Sequence, residues 1–262
     1  MLARSPTARK QVFGVAFAPM TLQQAVEQIV RDPATDGVRM VVTTNLDHVV
    51  NLSLDDQFRE AYSSAWLATA DGAPVFVYAR LVGADIPERV PGPDLFAATM
   101  HALNGAHRPF FFASCEDTAE KLAAWLVGRG LDRDTIGWAV PPFGFEKTPE
   151  ASLALLDAIA AHRPTHLFLG VGSPKSEMWI YQNREKLGSL YALGVGAALD
   201  FFVNVQQRAP LWVRKIGGEW LWRWMSEPQR LFPRYFVKSW LVFPAVLNDL
   251  ASHGESPAPR PR

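Results

Sequence analysis

The chemically richest pattern in the chain is Thr69-Ala-Asp71-Gly72, where an apolar run headed by Trp66 and Leu67 ends in one carboxylate followed at once by glycine. A carboxylate at a strand end, beside a residue that lets a ligand approach the backbone, suits a general base. The same dipeptide also makes an ordinary turn. Upstream, Val41-Val-Thr43-Thr44-Asn45 closes another apolar run in small polar groups, and downstream runs Glu88-Arg89-Val-Pro-Gly92-Pro-Asp94-Leu95. Ligands of open α/β sheets sit at the carboxyl ends of the strands, so the three clusters are expected to converge on one pocket. Strand-end capping by Thr43 and Asn45, and a helix-dipole role for Asp94, are the competing uses of those residues.

A second group of residues suits phosphate. Gly172-Ser-Pro-Lys175-Ser176-Glu177 follows an apolar run and leads into a helical pattern that begins near Ser176. Glycine admits a ligand to the backbone, free N–H groups at a helix start favour anions, and Lys175 adds charge; a plain turn and cap has the same composition. Gly194-Val-Gly196-Ala-Ala-Leu199-Asp200 begins like a dinucleotide fingerprint, but Leu199 stands at the third glycine and no acidic residue follows at the required distance. That disfavours a nicotinamide dehydrogenase and leaves open a methyltransferase using Gly194-Val-Gly196 as its cofactor turn. Asp132-Arg-Asp134 has the form of a metal-binding Asp-x-Asp but lies where a turn is expected. The six histidines show no metal-ligand spacing, so a site without metal or cofactor is expected, with Arg and Lys opposing any diphosphate charge. Cys115 is the single cysteine, which excludes an intramolecular disulfide; it is expected as a small buried hydrophobe.

These residues need a frame. Apolar period and punctuation place strands at 38–43, 66–70, 109–113, 135–140, 166–171 and 190–195, and helices at 22–30, 56–64, 93–103, 118–129, 150–162 and 176–185. The alternation defines an α/β protein with a Rossmann-like, largely parallel sheet flanked by helices. With 262 residues and 48% hydrophobic composition, the chain suffices for one large domain and an appendage. The expected divisions are a core over 1–208, a helical appendage over 209–251 and a disordered tail over 252–262. The appendage carries Trp212, Trp220, Trp222, Trp224 and Trp240 together with Arg214, Lys215, Arg223, Arg230, Arg234 and Lys238. It reads either as helices packed on the sheet or as an element that closes on an anionic ligand and touches a bilayer. Zero net charge gives no electrostatic reason to bind nucleic acid. The basic start lacks a signal-peptide core, and the longest apolar stretch, Trp240 to Leu247, is broken by Pro244, so a cytoplasmic protein able to lie on a membrane is expected.

The ordered series Thr43-x-Asn45, Ala70-Asp71-Gly72, Arg89-Val-Pro-Gly92-Pro-Asp94-Leu95, Gly170-Val-Gly172-Ser-Pro-Lys175-x-Glu177, Gly194-Val-Gly196, Asp200, Arg208-Ala-Pro210, Glu219-Trp220, Arg223, Glu227-Pro-Gln-Arg230 and Arg234-Tyr235 resembles the WecG/TagA/CpsF glycosyltransferase family. The resemblance implies an inverting, metal-independent transferase that moves a sugar from a UDP-sugar to a polyprenyl-diphosphate-linked sugar. Its place would be the inner face of the cytoplasmic membrane, bound peripherally through the appendage. It implies that Asp71 is the base, that Thr43, Asn45, Arg89 and Asp94 line the substrate pocket, and that Gly172, Lys175, Ser176, Glu177, Asp200, Arg223, Arg230 and Arg234 serve UDP or the diphosphate. Ser176 stands where the family usually has Gln, Gly218 where it has Leu, Asn204 where Gly is frequent, and Pro233 at a commonly basic position. Donors within such a family include N-acetylmannosamine, its uronic acid and glucose. A non-catalytic membrane-surface module with the same fold is the alternative, and a homo-oligomer is a further use of the apolar appendage.

Overall fold

The computed structural model describes residues 10–215, 217–226, 228–229 and 238–254. Six strands, β1 (Val38–Thr44), β2 (Leu67–Ala70), β3 (Pro109–Phe112), β4 (Gly137–Ala139), β5 (His166–Leu169) and β6 (Leu190–Gly194), form one sheet in the order β2-β1-β6-β5-β3-β4. Every pairing is parallel. Strands covered on both faces read as continuous apolar runs, and Pro-Phe-Phe-Phe in β3 and His-Leu-Phe-Leu in β5 are buried at every position.

The helices divide between the two faces. Against one pack α2 (Leu46–Leu54), α3 (Asp56–Ser63), α4 (Ala73–Leu81), α7 (Pro149–His162) and α8 (Lys175–Leu187). Against the other pack α1 (Leu22–Arg31), α5 (Gly92–Ala102), α6 (Glu116–Gly128) and α9 (Ala198–Phe202). Strands alternate to serve both layers: Met40 and Val42 of β1 join the first core, Val41 the second. Neighbouring β1 and β6 therefore send their chains to opposite faces, α2 to one and α9 to the other. Such a switch opens a crevice at the carboxyl edge of the sheet.

All six expected strands and six expected helices are present, with shifted ends. The strand expected from Thr135 starts at Gly137, because Asp132 caps a short 3-10 turn over Arg133–Thr135 and accepts from the Asp134 N–H at 3.0 Å. The Asp132-Arg-Asp134 motif is thus a turn. Helices α2, α4 and α9 lie in segments for which no element was expected.

Beyond the sheet come α10 (Leu211–Lys215), α11 (Glu219–Ser226), and a last described helix, Val242–Gly254. Pro244 interrupts the apolar run but not that helix. It is the third residue, in the first turn, where no intrahelical bond needs an N–H donor, so the N–H that proline lacks is not missed. The helix is held by Asp249, which is buried and accepts from the Phe13 N–H at 2.5 Å and the Tyr78 hydroxyl at 2.7 Å. The Phe13 and Tyr78 rings stack at 4.8 Å beside it. Among the described residues no helix is long and apolar enough to cross a membrane.

Candidate active site

The three N-terminal clusters do meet. Parallel pairing sets Thr43 beside Thr69 and Thr44 beside Ala70, and the ladder continues past β2 as the Asp71 and Gly72 N–H groups donate to the Thr44 carbonyl at 2.9 and 3.4 Å. Asp71 is thereby fixed at the carboxyl end of β2, half-buried, immediately before α4. Arg89 donates from Nη1 to the Asp71 carbonyl at 3.3 Å and from Nη2 to the Arg214 carbonyl at 3.3 Å, tying the Asp71 backbone to α10. Gly92, the first residue of α5, lies so close that a Cβ there would stand 2.8 Å from Thr43 Oγ1 and 3.6 Å from Asp71 Oδ2.

Asn45 is the N-cap of α2. Its Oδ1 accepts from the Asp47 and His48 N–H groups at 3.0 and 3.4 Å, so the group it can offer a substrate is its Nδ2 donor. Beneath this pocket the Thr44 and Tyr62 hydroxyls share a hydrogen bond of 2.9 Å. Burial, reinforced by the Glu177 and Asp71 charges and opposed by the Thr44 bond, pushes the Tyr62 phenol well above its ordinary pKa. Tyr62 therefore stays a neutral phenol.

On the other side of the crevice, β5 runs into Gly170-Val-Gly172-Ser-Pro174, with a cis Ser173–Pro174 peptide, and then into α8. Gly170 has no room for a side chain, since a Cβ would lie 2.8 Å from the Phe112 carbonyl, and Gly172 takes a φ of +83°. Lys175 is the first residue of α8. Its Nζ is 3.9 Å from Glu146 Oε1 and 4.6 Å above the fully exposed Phe143 ring. Ser176 is fully buried, and its hydroxyl donates to the Gly172 carbonyl at 3.1 Å. Glu177 is also buried, its Oε1 3.6 Å from His48 Nε2.

After β6, Gly196 brings its turn against Gly172, and Asp200 enters α9 with Oδ1 accepting from Ser114 at 2.6 Å and Thr118 at 2.7 Å. Cys115 was expected to be buried but is half-exposed at the N-cap of α6. Hydrogen bonding to Thr118 lowers its thiol pKa. The carboxyl ends of β1, β2, β5 and β6 thus all lead into helix starts, whose partial positive charge suits an anionic ligand.

Asp94, in the first turn of α5, is joined to the C-terminal segment. Arg208 Nη1 lies 2.5 Å from Asp94 Oδ1, and Arg208 Nε lies 3.0 Å from Glu219 Oε1 at the start of α11. Burial works against the Arg208 charge, yet its bonds to Asp94 and Glu219 outweigh that and raise its pKa. Arg214 approaches the same Asp94 oxygen at 3.6 Å. Arg223 lies in α11, its side chain outside the described residues, as are Arg230 and Arg234 entirely. His48 and Tyr62 were not foreseen as site residues. His48 stands three places after Asn45 and its side chain returns to the cap N–H to complete a capping box, a role whose usual sequence sign is Glu or Gln.

A doubly covered parallel sheet, with polar residues and helix starts gathered at its carboxyl edge, defines a Rossmann-like α/β protein with a crevice at that edge. The profile of the glycosyl transferase WecG/TagA/CpsF family matches residues 10–255, and the chain belongs to that family. It is a glycosyltransferase. Curated relatives from Staphylococcus aureus strains MW2 and NCTC 8325 / PS 47 are each 25% identical over 230 residues, covering 87% of this chain and 89% of theirs. Both are named N-acetylglucosaminyldiphosphoundecaprenol N-acetyl-beta-D-mannosaminyltransferase.

Proposed function

We propose that the protein transfers a sugar from a UDP-sugar to a polyprenyl-diphosphate-linked saccharide by a single, inverting displacement that needs no metal, in the synthesis of a cell-surface polysaccharide. The observation that carries this reading is the position of Asp71, half-buried at the carboxyl end of β2 with Thr43, Asn45, Arg89 and Gly92 around it. Asp71 removes the acceptor hydroxyl proton as that oxygen attacks the anomeric carbon from the face opposite UDP. Such general-base help is worth about 10²- to 10⁴-fold, with positioning and charge stabilisation supplying the rest. Asn45 offers a donor through Nδ2 to a sugar oxygen. Negative charge growing on the departing diphosphate is met by Lys175 and the helix starts after β5 and β6, joined by Arg223, Arg230 and Arg234.

The acceptor class follows the printed names of the Staphylococcus aureus relatives, which specify a diphosphoundecaprenol-linked sugar. Trp212, Trp240, Phe243 and Leu247, each about two-thirds exposed, support peripheral attachment to the inner face of the cytoplasmic membrane. The test is transfer from a panel of UDP-sugars, N-acetylmannosamine first, to a short-chain lipid-diphosphate N-acetylglucosamine in EDTA, with the product's anomeric configuration read by NMR. Inverted product with one donor is expected; retained configuration, or product that requires added metal, contradicts the mechanism.

A further inference from the structure

We infer that Glu177 and His48 form a positioning pair that couples the donor side of the crevice to the acceptor side, Glu177 acting through His48 rather than on the nucleotide. The inference rests on the reaction proposed above. Glu177 is 1% exposed and His48 5%, so both lie beneath the pocket. His48 Nδ1 accepts from the Asn45 N–H at 3.1 Å, which requires Nδ1 to be unprotonated and places the ring's proton on Nε2. That N–H faces Glu177 Oε1 at 3.6 Å. Space for the carboxylate is kept by Gly194, where a Cβ would stand 3.2 Å from Glu177 Oε1.

The chain of contacts continues upward. Asn45 backs the Asp71-Gly72 turn, its Cα and Cβ each 3.5 Å from where a Gly72 Cβ would be. Glu177 is the third residue of α8, which starts at Lys175, whereas Asn45 and Asp71 end β1 and β2. A shift of the donor turn is thus felt by Asn45 and the base through one histidine, so the pair acts on the alignment of the two substrates. Misalignment lowers kcat more than it weakens donor binding.

The test compares His48→Gln, Glu177→Gln and the double variant in the intact protein. Gln at the third position of α2 restores the capping box, so His48→Gln is expected to fold while losing the link to Glu177. Each single variant is expected to lower kcat about tenfold, with KM for the UDP-sugar and Kd for UDP changed by less than about twofold, and the double variant to match the singles. A Glu177→Gln variant with weakened UDP binding and unchanged kcat, or losses that multiply in the double variant, overturns the inference. Nitrogen-15 NMR of the His48 ring supplies a readout that needs no turnover: the proton is expected on Nε2, and a proton on Nδ1 overturns the pairing. A wild-type protein that transfers no sugar counts against the proposed function, whereas unaffected variants of an active protein count against this pair alone.

Discussion

Replacing Gly92 by alanine probes the point where the three N-terminal clusters touch. The added methyl would sit 2.8 Å from Thr43 Oγ1, against 3.4 Å or more in ordinary contact, so one partner has to yield about half an ångström. Thr43 is 4% exposed and held in β1 between β2 and β6, and Asp71 Oδ2 stands 3.6 Å from the same methyl. Gly92 opens α5, where alanine by itself gains about 0.5–1 kcal/mol, while overpacking costs about 1–3 kcal/mol. The net loss of stability is about 0–2.5 kcal/mol, small enough to leave a folded protein. Because a misplacement of about 1 Å can cost about 10²-fold in rate, half that shift at the pocket is expected to lower transfer about tenfold. Urea unfolding and transfer rates at saturating donor measure the two effects separately. Gly128→Ala in α6, where the methyl meets no atom within 4 Å, is the control and is expected to stabilise slightly with unchanged rate. A Gly92→Ala enzyme working within twofold of wild type refutes the claim that these segments form the reacting pocket.

His166 is buried and neutral in the fold: burial, against a bond to the Ile29 carbonyl and with the His107 charge assisting, lowers its pKa from 6.5 to about 4. The unfolded chain takes up that proton first, so stability is full above pH 6.5, falls as the pH drops and levels near pH 4. The loss is about 3 kcal/mol, read from urea midpoints between pH 7 and 4, and His166→Gln is expected to flatten the slope. Arg208→Met leaves Asp94 and Glu219 without their shared guanidinium; because these groups are partly exposed, a cost of about 2 kcal/mol is expected in urea unfolding, below that of a fully buried pair. It is also expected to free α11, seen as faster hydrogen exchange there. Asp249→Ala removes the acceptor for the Phe13 N–H and the Tyr78 hydroxyl, and is expected to cost about 1–3 kcal/mol and to speed proteolytic removal of the last helix. Each of these outcomes is contradicted by a variant indistinguishable from wild type.

The sheet was legible because doubly buried strands have one signature: continuous apolar runs closed by small polar residues, as in Leu-Ala-Thr-Ala of β2 and His-Leu-Phe-Leu of β5. The helices that start directly at the site were harder to see. Ala-Pro-Val-Phe-Val-Tyr-Ala-Arg-Leu of α4 has a strand-like composition, and its cap, Gly72, offers no side-chain bond; the only local signal was Pro74 in the first turn. The cap of α2 was hidden because its third residue is His48 rather than the usual Glu or Gln. Proximity of Asp71 and Thr43 could be anticipated from strand ends, since parallel strands deliver their carboxyl ends to one edge. Partnership could not: that Glu177 faces His48, or that Arg208 spans Asp94 and Glu219, depends on which helix crosses to which face. The thiol of Cys115 likewise gave no sequence sign of being half-exposed beside Thr118.

The central claim is that Asp71 is the base of a sugar transfer. Single-turnover transfer with Asp71→Asn, alongside calorimetric binding of UDP, tests it most directly. Asparagine preserves the size of the side chain and the backbone bonds to Thr44 and Arg89 while removing proton affinity. Transfer reduced by about 10²-fold or more with UDP affinity unchanged is the result predicted. Transfer retained within a few-fold, or lost together with UDP binding, contradicts the assignment.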